Sequence, residues 1–196
     1  ILGDNGSILY SGAVVGNVIV KMQSTDTVDQ PTWGDVIAAG DGANRIIGGM
    51  GSDTVTTTGN FVDIVMGDNG EFNWDANGVM TSFLTTQIDK GGNDPIDVSG
   101  GDNIVVGGFG ADKITTGAGD DVIVGDNGQV DYWAGSTQAK RARTTDDVVD
   151  APGWGDTIVT GGGGNTVMWG VGADRGEHPA GRHAAGAVPR RGHDAG

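Results

Sequence analysis

The chain has 196 residues, 39 of them Gly, with hydrophobic residues at 36% and a net charge of −15. So Gly-rich and acidic a composition excludes an ordinary large apolar core, and it argues against nucleic acid or an anionic membrane as partner, since both present like charge. No Cys is present, which removes disulfides and thiolate metal sites, and no apolar run reaches the length of a membrane span.

In chain order, the first feature is Gly-Asp-Asn-Gly at 3–6, which recurs at 67–70 and 125–128. These recurrences divide the chain into units over 1–66, 67–124 and 125–174, followed by an atypical tail over 175–196. The first unit has no signal-peptide-like start and reads as a cut through a repeat of something longer. After each Gly-Asp-Asn-Gly comes an excursion. Ser7–Tyr10 with Ala13–Met22, Glu71–Trp74 with Val79–Thr85, and Gln129–Trp133 with Ser136–Thr145 each read as strand, turn, strand, and Asn77-Gly78 is a hairpin signal. Tyr10, Phe72, Trp74, Phe83, Tyr132 and Trp133 gather there. They either pack the hairpins onto the repeats and onto one another, or bind glycans or a neighbouring molecule. Apolar edge strands in these excursions also predict self-association as a way of covering them.

Between excursions a shorter period takes over. An Asp or Asn followed two residues later by Val or Ile occurs at Asp35/Ile37, Asn44/Ile46, Asp53/Val55 and Asp63/Val65. It returns at Asp94/Ile96, Asn103/Val105, Asp112/Ile114 and Asp121/Ile123, then at Asp156/Ile158 and Asn165/Val167. The step is nine residues except for ten between Asp53 and Asp63. Such a step suits a short parallel strand with one inward β-branched side chain, two steps completing one coil. The outward flanks, such as Arg45, Thr54, Lys113 and Thr157, are mixed in character and read as a solvent face. Trp33 and Trp154 stand just before Asp35 and Asp156, which predicts a repeated structural contact. The expected fold is all-β: a parallel β-roll or β-solenoid of nine-residue Gly/Asp turns with lateral β-hairpin insertions, its short stacks interrupted by the excursions.

The 26 acidic residues comprise 24 Asp and only Glu71 and Glu177. That bias is expected where a short carboxylate meets a tight turn or a divalent cation beside the backbone. Gly48-Gly49-Met50-Gly51-Ser52-Asp53 and Gly107-Gly108-Phe109-Gly110-Ala111-Asp112 are complete Gly-Gly-x-Gly-x-Asp turns. Ala39 to Asn44, Thr116 to Asp121, Thr160 to Asn165 and Trp169 to Asp174 are close variants, while Thr58 to Asp63 and Val98 to Asn103 are degenerate. On these residues the chain resembles the repeats-in-toxin (RTX, hemolysin-type) calcium-binding repeat family over Asp35 to Val65, Asp94 to Gly128 and Asp156 to Asp174. The resemblance implies several Ca2+ ions held between stacked turns by Gly-turn carbonyls and Asp carboxylates. Stacked partners would be Asp35 with Asp53, Asn44 with Asp63, Asp94 with Asp112, Asn103 with Asp121, and Asp156 with Asp174, with Asp53, Asp112 and Asp121 foremost. The turn glycines expected beside the ions are Gly40, Gly42, Gly49, Gly51, Gly108, Gly110, Gly117, Gly119, Gly162 and Gly164. Asp126, like Asp4 and Asp68 in the other Gly-Asp-Asn-Gly motifs, either closes a calcium site or turns the chain outward.

After Asp174 the phase predicts an apolar residue at 176, where Gly176 stands, and the composition shifts to Arg, Ala, Gly, Pro and His. The tail reads as disordered or as a foreign reading frame, and His178 and His183 as a chance pair. No Cys nucleophile, His-Glu-x-x-His zinc motif or phosphate loop is present, so the chain is expected not to be an enzyme. The expected function is a calcium-binding structural array, folded by metal, of a secreted or cell-surface protein such as an adhesin, surface layer or filament. The alternative is a calcium-binding, secretion-aiding segment of a secreted hydrolase or toxin whose active domain lies elsewhere. Type I secretion from a Gram-negative bacterium is implied by the family resemblance alone.

Overall fold

The computed structural model describes residues 1–12, 18–28, 32–145 and 154–177. Among them are seventeen strands and no helix long and apolar enough to cross a membrane. In chain order they are β1 (Gly6–Tyr10), β2 (Ile19–Ser24), β3 (Val36–Ala38), β4 (Arg45–Ile47), β5 (Thr54–Thr56), β6 (Ile64–Met66), β7 (Gly70–Trp74) and β8 (Met80–Thr85). Then follow β9 (Pro95–Val98), β10 (Ile104–Val106), β11 (Lys113–Thr116), β12 (Val122–Val124), β13 (Gly128–Tyr132), β14 (Ala139–Thr144), β15 (Thr157–Val159), β16 (Thr166–Met168) and β17 (Arg175–Glu177).

The nine-residue step places successive short strands alternately in two parallel sheets. One, here the outer sheet, runs β3-β5-β9-β11-β15-β17, and the other, the middle sheet, runs β4-β6-β10-β12-β16. Within each, the predicted inward residues lie directly beside one another: Ile37, Val55, Ile96, Ile114 and Ile158 in the outer sheet, and Ile46, Val65, Val105, Ile123 and Val167 in the middle one. All ten are buried and share one apolar core. β-Branched side chains stacked in register between two sheets give that core its order.

The excursions do not interrupt these stacks. Strand β6 pairs with β10 and β5 with β9 across the second hairpin, and β12 pairs with β16 and β11 with β15 across the third. The expectation of short separated stacks is therefore corrected. Each hairpin leaves from the end of a middle-sheet strand, and the chain re-enters in phase, so the parallel ladders continue across the insertion.

The hairpins themselves join into one antiparallel sheet, β1-β2-β7-β8-β13-β14. The second hairpin turns where expected: Gly78 has φ +79°, and Asp75 Oδ1 accepts hydrogen bonds from the backbone N–H of Asn77 at 2.8 Å and of Val79 at 2.9 Å, an Asx arrangement suited to such a turn. This hairpin sheet covers the outward side of the middle sheet. Ile47, Ile64, Met66, Ile104, Val106 and Val124 are buried there against Met22, Phe72, Met80, Phe83 and Val130. The mixed outward flank expected from sequence thus holds for the outer sheet, where Thr54, Lys113 and Thr157 are exposed, but not for the middle sheet. Phe72 and Phe83 pack ring to ring at 5.5 Å, and Phe83 lies 6.3 Å from Tyr132, so most hairpin aromatics serve packing.

The break at residue 175 is also smaller than the sequence suggests. Arg175–Glu177 forms β17, paired in parallel with β15, and Gly176 faces Ile158 across the pair. A side chain on Gly176 would collide with the ring of Trp169, which packs against the core from that end. The indole occupies the volume that an apolar residue at 176 would fill. Residues 178–196, including His178 and His183, lie outside the described residues.

Candidate metal centre

The turns fall on two edges. Those entering the outer sheet, from the middle sheet or from a hairpin, end in Asp35, Asp53, Asp94, Asp112, Asp156 and Asp174, and form an Asp edge. Those leading back end in Asn44, Asp63, Asn103, Asp121 and Asn165. Parallel strands in register bring each set of side chains into a column.

Along the Asp edge every rung is bonded to the next. The backbone N–H of Asp35 donates to Asp53 Oδ1 at 2.6 Å, that of Asp53 to Asp94 Oδ1 at 2.8 Å, and that of Asp94 to Asp112 Oδ1 at 2.9 Å. The series continues from Asp112 to Asp156 Oδ1 at 2.8 Å and from Asp156 to Asp174 Oδ1 at 3.0 Å. The bonds Asp53 to Asp94 and Asp112 to Asp156 span the excursions. Sequence spacing alone did not reveal them, because those partners are not two steps apart.

From Asp53 to Asp174 one carboxylate oxygen per rung is thereby used. The other, Oδ2, is buried without a hydrogen-bond partner at Asp35, Asp53, Asp94 and Asp112, a costly state for a charged oxygen unless a cation faces it. Each of these oxygens lies against the backbone of a stacked glycine. A Cβ on Gly3, Gly48, Gly67 or Gly107 would collide with Oδ2 of Asp35, Asp53, Asp94 or Asp112 respectively, and also with the carbonyl oxygen of Gly48, Gly67, Gly107 or Gly125. Carboxylate and main-chain carbonyl oxygens thus share a space that only glycine leaves open. Among the described residues no three His, Asp or Glu side chains gather as a metal cluster. The donors are mixed, as suits a hard cation that accepts carbonyl oxygens.

Electrostatics point the same way. Burial pushes Asp53 up to about 7, with the charges of Asp35 and Asp4 adding to it, and pushes Asp94 up to about 8, with Asp53 adding to it. Asp112 is raised well above the ordinary carboxylate range by burial and then by Asp94 and Asp156, and Asp174 is raised by burial. Carboxyls so placed resist ionisation near neutral pH until a positive charge joins them.

The Gly-Asp-Asn-Gly aspartates join this edge. Asp68 Oδ1 accepts the backbone N–H of Gly92 at 2.9 Å and its Oδ2 that of Phe109 at 2.5 Å. Asp4 Oδ2 accepts Met50 N–H at 2.5 Å, and Asp126 Oδ2 accepts Val171 N–H at 2.5 Å. Each clasps the third residue of a later Gly-Gly-x-Gly or related turn. Gly49 and Gly108, with φ +122° and +120°, stand where a Cβ would strike Asp4 and Asp68. Burial and then the charges of Asp94 and Asp112 hold Asp68 well above the usual range. Farther out, Gly51 and Gly110 pack against the backbone at Gly34 and Gly92, and the Trp154 ring meets Phe109 edge-on at 4.4 Å.

The other edge repeats the rung bonds with different chemistry. Asn44 N–H donates to Asp63 Oδ1 at 2.8 Å, Asp63 N–H to Asn103 Oδ1 at 3.0 Å, Asn103 N–H to Asp121 Oδ1 at 2.9 Å, and Asp121 N–H to Asn165 Oδ1 at 2.9 Å. Burial raises Asp121, whose Oδ2 lacks a hydrogen-bond partner. Gly117 and Gly119 abut the backbone of Ser99 and Gly101, whereas a Cβ on Gly40, Gly42 or Gly162 would meet nothing. Gly164 N–H donates to Asp120 Oδ1 at 2.7 Å.

Comparison with known proteins agrees with this geometry. The family model of the RTX calcium-binding nonapeptide repeat, which describes four copies, matches residues 34–60 and 97–129. No curated protein and no solved structure matches the chain. Residues 154–174, outside the matched segments, continue the same columns through Asp156, Asn165 and Asp174. The chain contains a calcium-binding repeat region, and over the matched segments it is similar to the RTX calcium-binding nonapeptide repeat family.

Proposed function

We propose that this chain is a non-catalytic structural array, a calcium-folded parallel β-roll within a secreted or cell-surface protein of a Gram-negative bacterium. The observation that carries the proposal is the Asp edge, where a column of buried carboxylates has one oxygen bonded to the next rung and the other facing glycine-lined carbonyls. When bound, calcium supplies the counter-charge that these oxygens need. Asp53, Asp94 and Asp112 hold the ions between turns. Asp4, Asp68 and Asp126 each tie the start of a unit to a turn later in the same unit. Extracellular calcium modules bind at about 10⁻⁴–10⁻³ M, so such an array stays unfolded inside a cell and folds on export, consistent with type I secretion. The regular 64- and 58-residue spacing of Gly-Asp-Asn-Gly favours an adhesin, surface-layer or filament segment. Outermost strand β1 leaves Ile8, Leu9 and Tyr10 exposed, a surface suited to self-association through the hairpin sheet.

Circular dichroism of the full chain during calcium titration at neutral pH tests this. A coil-like spectrum in excess chelator that becomes β-rich as calcium is added is the expected result. A β-rich spectrum that chelator leaves intact would sink the proposal.

A further inference from the structure

The two edges share one rung geometry but not one rung chemistry. On the Asp edge all five bonded pairs join two carboxylates. On the other edge the order is Asn44, Asp63, Asn103, Asp121, Asn165, so each of its four bonded pairs joins one carboxylate to one amide.

The amides do more than dilute charge. Asn44 Nδ2 donates to the carbonyls of Gly40 at 3.0 Å and Gly42 at 2.9 Å. Asn103 Nδ2 does the same to Ser99 at 3.0 Å and Gly101 at 2.9 Å, and Asn165 Nδ2 donates to Gly161 at 3.0 Å. These are the carbonyls two and four residues before the rung, the inward-facing oxygens of the turn. An amide carries two N–H donors in one plane, enough to satisfy both carbonyls at ordinary hydrogen-bond lengths. Its oxygen meanwhile accepts the rung bond, as Asn103 Oδ1 does from Asp63 and Asn165 Oδ1 from Asp121. A carboxylate in the same place has no donor and would leave the carbonyls to a cation.

Resting on the calcium reading of the Asp edge, we propose that calcium is confined to that edge. The opposite edge is closed by its own asparagine amides and is metal-free, in contrast to the binding on both edges that the family resemblance implies. The neutral rung Asn103 between Asp63 and Asp121 also spares this edge the repulsion of carboxylates on adjacent strands about 4.8 Å apart. Asp121 is the point where the proposal is most exposed, since its Oδ2 is buried without a hydrogen-bond partner. Both of its rung neighbours, however, are amides.

Bound calcium per full chain, measured by equilibrium dialysis with the metal alone, decides this, with circular dichroism at saturating calcium confirming that each variant is folded. Asp121→Asn and, separately, Asp63→Asn are expected to keep the wild-type count, whereas Asp53→Asn lowers it. Asn103→Asp, which puts carboxylates on three successive rungs of the amide edge, is expected to raise it by at least one ion and to make folding require more calcium. A folded Asp121→Asn or Asp63→Asn chain that binds fewer ions than wild type overturns the one-edge assignment while leaving the calcium-folded array standing. An unchanged count in folded Asn103→Asp overturns the role given to the amides. A wild-type chain that binds no calcium removes the reading of the Asp edge itself.

Discussion

Along the Asp edge, strands are held in register by stacked carboxylates that repel one another. Beneath the hairpin sheet, the middle-sheet strands are held by Phe72, Phe83, Met66, Val106 and their neighbours, with no charge among them. At neutral pH the first region needs a counter-ion to be stabilised, whereas the second gains stability by excluding water from apolar surface. The molecule therefore divides its cohesion between a part that answers to solution conditions and a part that does not, and the middle-sheet strands belong to both.

The largest expected effect separates the two parts by pH. Asp53 and Asp94 in the folded chain lie at about 7 and about 8, above the ordinary value near 4. The folded state without calcium thus binds more protons than the unfolded one. Their contribution is complete below about pH 4 and is lost as pH rises toward 7 to 8. In chelator, β-sheet circular dichroism should accordingly decrease from acid to neutral pH, and calcium should restore it at neutral pH. A calcium-free β signal that instead grows with pH would contradict the assignment of buried, unbalanced carboxylates.

Next in size is Phe83→Ala, which removes a fully buried ring from the apolar region. The expected cost is about 3–5 kcal/mol, read from urea unfolding at saturating calcium, with the number of bound ions unchanged. If the ion count fell as well, the two regions would not be separable. Gly108→Ala should act on the other side of the comparison. Its φ of +120° and the Asp68 oxygen beside it predict a loss of about 1–3 kcal/mol from strain, together with a higher calcium midpoint for folding. Trp133→Ala should do least. That residue is 55% exposed, with its ring under Lys140 at 5.0 Å in a cation–π contact, so unfolding should shift by no more than about 0.5–1 kcal/mol.

Much of the parallel part was legible because its signal is local. A β-branched residue two after each Asp or Asn marks the inward position, and all ten such residues are buried. The Asn77-Gly78 turn was legible for the same reason. The continuity of the stacks was not, since it depends on where each hairpin returns the chain, and no spacing encodes the pairing of β6 with β10. The covered face of the middle sheet has a readable sign. Ile64-Val65-Met66, Ile104-Val105-Val106 and Val122-Ile123-Val124 are unbroken apolar triplets, whereas Thr54-Val55-Thr56 alternates. A three-residue strand apolar on both sides must be covered on both. At the turns, Asp and Asn occupy one sequence pattern, and only the direction in which the amide donates tells them apart.

The hairpin sheet has one further consequence, for length. Each 64- or 58-residue unit adds two strands to the outer sheet, two to the middle sheet and two to the hairpin sheet. With strands about 4.8 Å apart, all three layers advance by the same roughly 10 Å per unit, so they can grow side by side without slipping. The same residues fully extended would span about 200 Å. On the calcium-folded reading proposed above, a unit that loses its ions and opens can be drawn out to at most about twenty times its folded advance, so the reach of a protein built from such units would depend on the local calcium concentration.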